Sequence, residues 1–409
     1  MAVAEEFRQI GPTPELAPSY QYFDSRIDTA FDIQPGEVIP PLRIAIMGSD
    51  NFGIETIKQL REQGHEIVAI YGPPKLKGDT NFDKIRNYAD EEGIKQGNIR
   101  DLRKEDGYVD FRDNVKPDLI IGANNTEIVD PRVCEVAELG AYGWHPSDLT
   151  TSHYRGSAAI QWQILNGVEN IGMSMHAYGR EDDLLEPDES QKDTSPLPKG
   201  SKIDPDKDKA DWGPVLAMKL VPRGDARSTS RFYQEKLMAE GPKFIVENVN
   251  KIAIAKAKGE IYCGQKQIRG AGSYQPPIDK DDVAINWSDT ATEIEDMVNA
   301  GEFGLGAYTL LENGKPVSLF GARAMEGTAT QPARIKELDD TSAIIETGKG
   351  LLLVNSMRGG EIGREENGRG ETIVNWNKEK SKPLTEFADE YELKAGVAFK
   401  VDSRVTNAA

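Results

Sequence analysis

The sequence predicts an α/β protein, with a Rossmann-like domain on a parallel sheet followed by a small OB-like β-barrel domain. Three observations carry this. Residues 42–71 hold an apolar run (LRIAIM), a glycine turn at Gly48–Gly53, apolar steps at Ile54, Ile57 and Leu60, and a second apolar run ending at Tyr71. Strand, turn, helix and strand within about 30 residues form a right-handed parallel βαβ unit. Leu119-Ile120-Ile121-Gly122-Ala123 reads as a buried strand running into the polar loop Asn124-Asn125. Past a Gly/Pro/Gln-rich linker at 263–275, the pattern changes to short alternating strands separated by Gly and Asn turns.

The elements follow in order. Residues 1–41, rich in Pro and acid, are expected to be an arm that wraps the chain's own domain or bridges subunits of a homo-oligomer. The first domain spans 42–262. Gly64 suits the C-cap of its first helix, and residues 81–114 read as helix and loop, with the helix at Phe82–Glu92. A short helix at Pro131–Ala137, a strand at Ala141–Trp144, a helix at Ala158–Leu165 and a strand at Ile171–Ala177 come next. Residues 184–211, dense in Asp, Lys, Pro and Ser, read as an inserted surface loop. Val215–Leu220 is a strand, and Ser230–Lys256 is helical with a break expected at Gly241-Pro242. The second domain, 276–375, opens with a helix at Ala291–Ala300. Strands then fall at Gly306–Leu311, Pro316–Ala322, Thr341–Glu346 and Gly350–Asn355, and 376–409 reads as a charged tail without a packing signal.

Composition narrows the function. At 409 residues the chain exceeds what one core holds. With 68 acidic against 49 basic side chains, the net charge is −19, which argues against nucleic-acid or anionic-membrane partners. Cys134 and Cys263 form neither a zinc spacing nor a disulfide framework, so a reducing, cytoplasmic setting is expected, with no metal. No signal peptide or membrane span is expected. The first glycine turn has only Gly48 and Gly53, and no acidic residue ends the second strand, so dinucleotide binding is not expected either.

The chemistry gathers in Gly143–Gly156, GWHPSDLTTSHYRG, which holds two of the four histidines. His145 follows a strand at the sheet's carboxyl edge, where an imidazole is placed to act as acid or electrophile near neutral pH; the alternative is a structural histidine at a loop. Tyr154-Arg155-Gly156 is placed to hold an anionic or amide group. The strand carrying His176 runs on to Glu181-Asp182-Asp183, any of whose carboxylates could orient an imidazole or activate a nucleophile. His65 and His153 read as turn and loop residues.

The stretch HPSDLTTSHYRGSAAIQWQILNG, followed by an Ile-Gly strand and an acidic turn, resembles the formyltransferase family that uses 10-formyltetrahydrofolate. Within that family it looks most like the hydrolase domain of 10-formyltetrahydrofolate dehydrogenase. The likeness covers about residues 42–370, including Gly272–Tyr308 at the opening of the C-terminal barrel. It implies His145 as the catalytic histidine and Asp183 as the catalytic aspartate, with Asp182 as fallback. It further implies a folate site formed by the loop Gly122–Glu127, with Asn124, Asn125 and Thr126, and by Tyr154, Arg155 and Gly156.

The sequence departs from the family at several points. Transferases carry an Asn two residues before the histidine, as an oxyanion donor, and this chain has Gly143. Asn124 or Asn125 is the candidate replacement. Two residues are inserted before Tyr154, Thr150 replaces the usual Pro, and Leu185 stands where the family has a Gly two residues after the acid. No carrier or aldehyde dehydrogenase module follows, so the full dehydrogenase reaction is not expected. The resemblance implies an enzyme that moves the formyl group to a small amine or hydrolyses it to formate and tetrahydrofolate. The alternatives are a non-catalytic folate-binding regulator and a methionyl-tRNA formyltransferase.

Overall fold

A computed structural model describes residues 33–34, 36–74, 81–151, 153–178, 198–201, 211–222, 229–260, 262, 264–267, 273–302, 306–364, 372–376, 382–383, 387–388 and 391–402. The expected N-terminal arm lies almost wholly outside these residues, as does most of 184–211. By contacts the chain divides into two compact units. One holds 1–157, 172–221 and 235–275, and the other holds 158–171, 222–234 and 276–409.

The first unit is built on a sheet whose core strands are apolar on nearly every residue, as strands covered on both faces are. Strand β1 (Arg43–Gly48) leads into helix α1 (Asp50–Glu62) and strand β2 (Glu66–Gly72). Helix α2 (Asn81–Glu91) leads to β3 (Lys95–Asn98), and helix α3 (Glu105–Asp110) precedes β4 (Leu119–Ala123). Helix α4 (Pro131–Cys134) and β5 (Ala141–His145) follow. The chain then passes through helix α5 (Ala159–Leu165), which groups with the second unit, and returns in β6 (Asn170–Ala177) and β7 (Val215–Pro222). The strand order is β3-β2-β1-β4-β5-β6-β7. Strands β1 to β5 pair in parallel, and β6 runs antiparallel to β5. The chain reverses its direction of winding between β1 and β4, the switch point at which such sheets open a crevice.

Two expectations for the chain up to residue 258 need correction. Residues 95–98, read as part of a loop, form edge strand β3; their sequence KQGN has no apolar alternation to reveal it. Helix α6 (Ser230–Lys258) is continuous through Gly241-Pro242. Gly241 is there for close packing, since a Cβ on it would come within 2.5 Å of the Phe52 ring and 3.2 Å of Trp144.

The second unit contains helix α7 (Ala291–Gly301), started by a capping box between Thr290 and Glu293. It is followed by β8 (Ala307–Leu310), β9 (Pro316–Met325), β10 (Ile335–Leu338), β11 (Ala343–Glu346) and β12 (Leu351–Arg364). These form an antiparallel sheet ordered β10-β11-β12-β9-β8. Residues 396–400 hydrogen-bond to residues 333 and 335 at one edge of this sheet and to Leu310 at the other. The expectation of an unpacked tail therefore fails. Phe387, Leu393 and Phe399 are buried in the same core as Trp287, and Phe399 stacks on the Trp287 ring at 5.4 Å.

Candidate active site

The site grows from the carboxyl edge of the parallel sheet. Strand β5 ends at His145, whose side chain is buried, 6% exposed. Its Nε2 lies 2.9 Å from the Tyr154 carbonyl oxygen. A carbonyl can only accept, so Nε2 carries the hydrogen and Nδ1 is turned the other way. On that side stands a carboxylate, Asp211, with Oδ2 3.5 Å from Nδ1. At 3.5 Å the carboxylate faces the imidazole without a tight hydrogen bond between them.

Asp211 is held from three directions. Its Oδ2 accepts the Gly156 amide N–H at 2.9 Å, and its Oδ1 faces His176 Nε2 at 3.7 Å. Burial pushes its carboxyl up, but His145, His176, the Gly156 amide and the Arg155 guanidinium together outweigh this and hold it below the ordinary carboxylate range. It is an anion at neutral pH. Burial also pushes His176 below the usual imidazole value, although the Asp211 charge pulls the other way. His176 Nδ1 donates to the Ala177 carbonyl at 2.9 Å.

The local sequence explains how these groups meet. Gly156 adopts φ +101°, and a Cβ there would lie 2.6 Å from the Gln275 carbonyl oxygen. Only glycine can bring that amide onto Asp211. Arg155 is buried, 1% exposed, with its guanidinium over the Trp212 ring at 5.5 Å, so its charge acts on Asp211 from within the fold. Tyr154 follows the two-residue insertion and takes φ 58°, which aims its carbonyl at His145.

The expected folate loop lies at the same sheet edge. Asn124 donates to Asp50 Oδ2 at 2.9 Å across the switch point between β1 and β4. Asn125 is spent on its own turn, accepting from the Glu127 amide and donating to the Glu127 carbonyl, with a further contact to Tyr178 Oη at 3.2 Å. Thr126 is exposed. His65 is a structural histidine: Nδ1 accepts from the Leu42 amide and Nε2 meets Asn250 Oδ1 at 2.9 Å. His153 Nδ1 lies 3.2 Å from Ser273 Oγ. Among the described residues no group of three or more His, Cys, Asp or Glu side chains could hold a metal, and no helix is long and apolar enough to cross a membrane.

Asp183 and Asp182, the acids expected from the resemblance, lie outside the described residues. The carboxylate that stands against His145 is Asp211, the last residue of the stretch read as an insert. A signal for it was present: Asp211-Trp212-Gly213 has the Asp-x-Gly spacing that Leu185 breaks after Asp183. It was hidden because 184–211 offers many aspartates, and counting onward from Gly172 reaches Asp183 first.

Known proteins resemble this chain in sequence and in fold. Residues 277–362 match the family described as "Formyl transferase, C-terminal domain". The methionyl-tRNA formyltransferase of Thermotoga neapolitana is 25% identical over 321 residues, 78% of this chain and 90% of that protein. That of Agathobacter rectalis is 26% identical over 316 residues, 76% of this chain and 90% of that protein. Among solved structures, HypX from Aquifex aeolicus in complex with tetrahydrofolic acid superposes with a TM-score of 0.50 at 18% identity, covering 86% of this chain and 48% of HypX. This chain thus spans about half the length of HypX. An N-formyltransferase from Helicobacter canadensis, in complex with folinic acid and dTDP-3-aminofucose, superposes with a TM-score of 0.51 at 15% identity over 77% of this chain and 98% of that one. With the matched C-terminal domain and relatives aligned along three quarters of the chain, this chain is similar to formyltransferases in sequence and in fold.

Proposed function

We propose that this protein transfers the formyl group of 10-formyltetrahydrofolate to a small amine, using His145 and Asp211. The observation that carries the reading is the pair itself: an imidazole whose Nε2–H is fixed by the Tyr154 carbonyl, so that Nδ1 faces an ionised carboxylate. When His145 is protonated, Nδ1–H donates to the formyl oxygen and stabilises the oxyanion as the amine nitrogen attacks the formyl carbon. Asp211 takes the proton the amine sheds. The new C–N bond forms, the bond to the aniline-like folate nitrogen breaks, and that nitrogen takes up the proton as tetrahydrofolate leaves. The relatives are named for a tRNA substrate, but a net charge of −19 opposes the phosphate contacts that tRNA needs. We read the closed antiparallel sheet of the second unit as OB type.

Hydrolysis to formate is the second reading. Gly143 favours it, since it supplies no side chain beside His145 to select an amine over water. Purified protein incubated with 10-formyltetrahydrofolate, alone, with a panel of small amines, or with methionyl-tRNA, separates these readings. Turnover that depends on a small amine supports the first, and formate release without acceptor supports the second. Formyl-methionyl-tRNA as the main product overturns the small-acceptor assignment, and binding without turnover overturns both catalytic readings.

A further inference from the structure

Gly122 of β4, Gly143 of β5 and His176 of β6 form one row of paired residues across the sheet. Just beyond β6, the Tyr178 amide donates to the Ala141 carbonyl at 2.8 Å, which turns the Tyr178 ring back over the two glycines. A Cβ on Gly143 would lie 2.7 Å from the ring and 3.0 Å from Tyr178 Oη, and one on Gly122 would collide with the same oxygen. The phenol therefore fills the volume where a side chain at position 143 would project. Side chains at 143 and 145 share one face of β5, since a strand alternates every second residue. The hydroxyl thus sits on the face of the sheet that carries His145. Asn125 Nδ2 lies 3.2 Å from Tyr178 Oη and donates to it, so the phenol is left with its own O–H to give. Burial pushes the phenol above its ordinary pKa, so this O–H is retained at neutral and moderately alkaline pH.

We propose that Tyr178 is a second hydrogen-bond donor to the formyl oxygen, beside His145, and that Gly122 and Gly143 are small so that its ring can reach that place. This rests on the formyl-transfer reading above. Asn124 and Asn125, the expected replacements, are committed to Asp50 and to the Glu127 turn.

The test is steady-state turnover of 10-formyltetrahydrofolate by the full chain. Tyr178→Phe keeps the ring and removes the donor. It should lower kcat by roughly 10²-fold, the cost of losing one oxyanion donor, with KM within about three-fold and the melting temperature unchanged. Tyr178→Ala should fall at least as far, and Tyr178→Ala with Gly143→Asn should recover about tenfold or more, because the vacated volume then holds an amide donor. If Tyr178→Phe leaves kcat within about three-fold of the parent, or its loss is confined to KM, the proposal is overturned while formyl transfer stands. A parent without any formyl turnover overturns both.

Discussion

Replacing Asp211 by Asn is the sharpest test of the site. Asn keeps the shape and can still accept the Gly156 amide at 2.9 Å. It also tolerates the left-handed backbone at position 211, φ 56°, better than most residues. The fold should therefore survive, and the change isolates the charge. With an effective dielectric of about 20, unit charges 3.5 Å apart interact by about 5 kcal/mol. Loss of a general base costs about 10²–10⁴ in rate. A fall of about 10³ in kcat, or about 4 kcal/mol of transition-state stabilisation, satisfies both figures. The assay is single-turnover formyl transfer with saturating donor and acceptor, with circular dichroism to check folding and Asp183→Asn as a parallel control. The reasoning is refuted if Asp211→Asn stays within about tenfold of the parent. If Asp183→Asn alone shows the large loss, the catalytic carboxylate is Asp183.

Other consequences follow from the same geometry. His145→Ala should abolish turnover and leave the circular dichroism spectrum intact; activity within a few-fold of the parent would sink the assignment. Gly156→Ala forces φ +101° on an alanine and drives its Cβ to 2.6 Å from the Gln275 carbonyl, so urea denaturation should record a loss of about 2 kcal/mol or more along with lost activity. Native His65 and His176 both sit below their ordinary pKa, chiefly through burial, so below about pH 6.5 the unfolded chain binds protons that the native one does not. Stability should be full above that pH and fall on acidification; His65→Gln and His176→Gln should each flatten the slope between about pH 7.5 and 5.5. Phe399→Ala opens a cavity against Trp287 and should cost about 3–5 kcal/mol in the second unit, read by thermal unfolding.

The fold was legible wherever periodicity was strong. The βαβ unit at 42–71, the strand at Leu119–Ala123 and the antiparallel strands after 306 all declare themselves through runs of buried apolar residues. What was missed lacked that signal. Strand β3 is polar because it lies at a sheet edge, and the terminal segment buries only a few widely spaced residues, Phe387, Leu393 and Phe399, too sparse to read as a strand or helix pattern. His145 was legible because few histidines compete with it. Asp211 was not, because its one local signal, the Asp-x-Gly spacing to Gly213, is set among many acids, and only tertiary structure shows that this one faces His145. Gly143 was read as a missing donor, and the phenol that fills its place comes from Tyr178, well beyond it along the chain, which no local pattern connects to it.

The backbone marks the same site independently. Seven non-glycine residues among those described have positive φ, and four of them, Asp50, Asn124, Tyr154 and Asp211, lie at the carboxyl edge of the parallel sheet. Asp and Asn enter that region at little cost, and two of these are bonded to each other, Asn124 to Asp50. Tyr154 has no such excuse: its strain is of the order of 1–3 kcal/mol and persists only where the surroundings impose it. What that strain secures is the carbonyl on His145 Nε2, while the next two residues bring the Arg155 charge and the Gly156 amide to Asp211. Three consecutive residues thus set the orientation of the histidine and the charge of its partner. Lys116, Ala333 and Glu392 adopt the same backbone region away from this edge, so the support for the proposed role of the pair comes from what the Tyr154 conformation holds in place, the carbonyl on His145 Nε2, and not from the strain by itself.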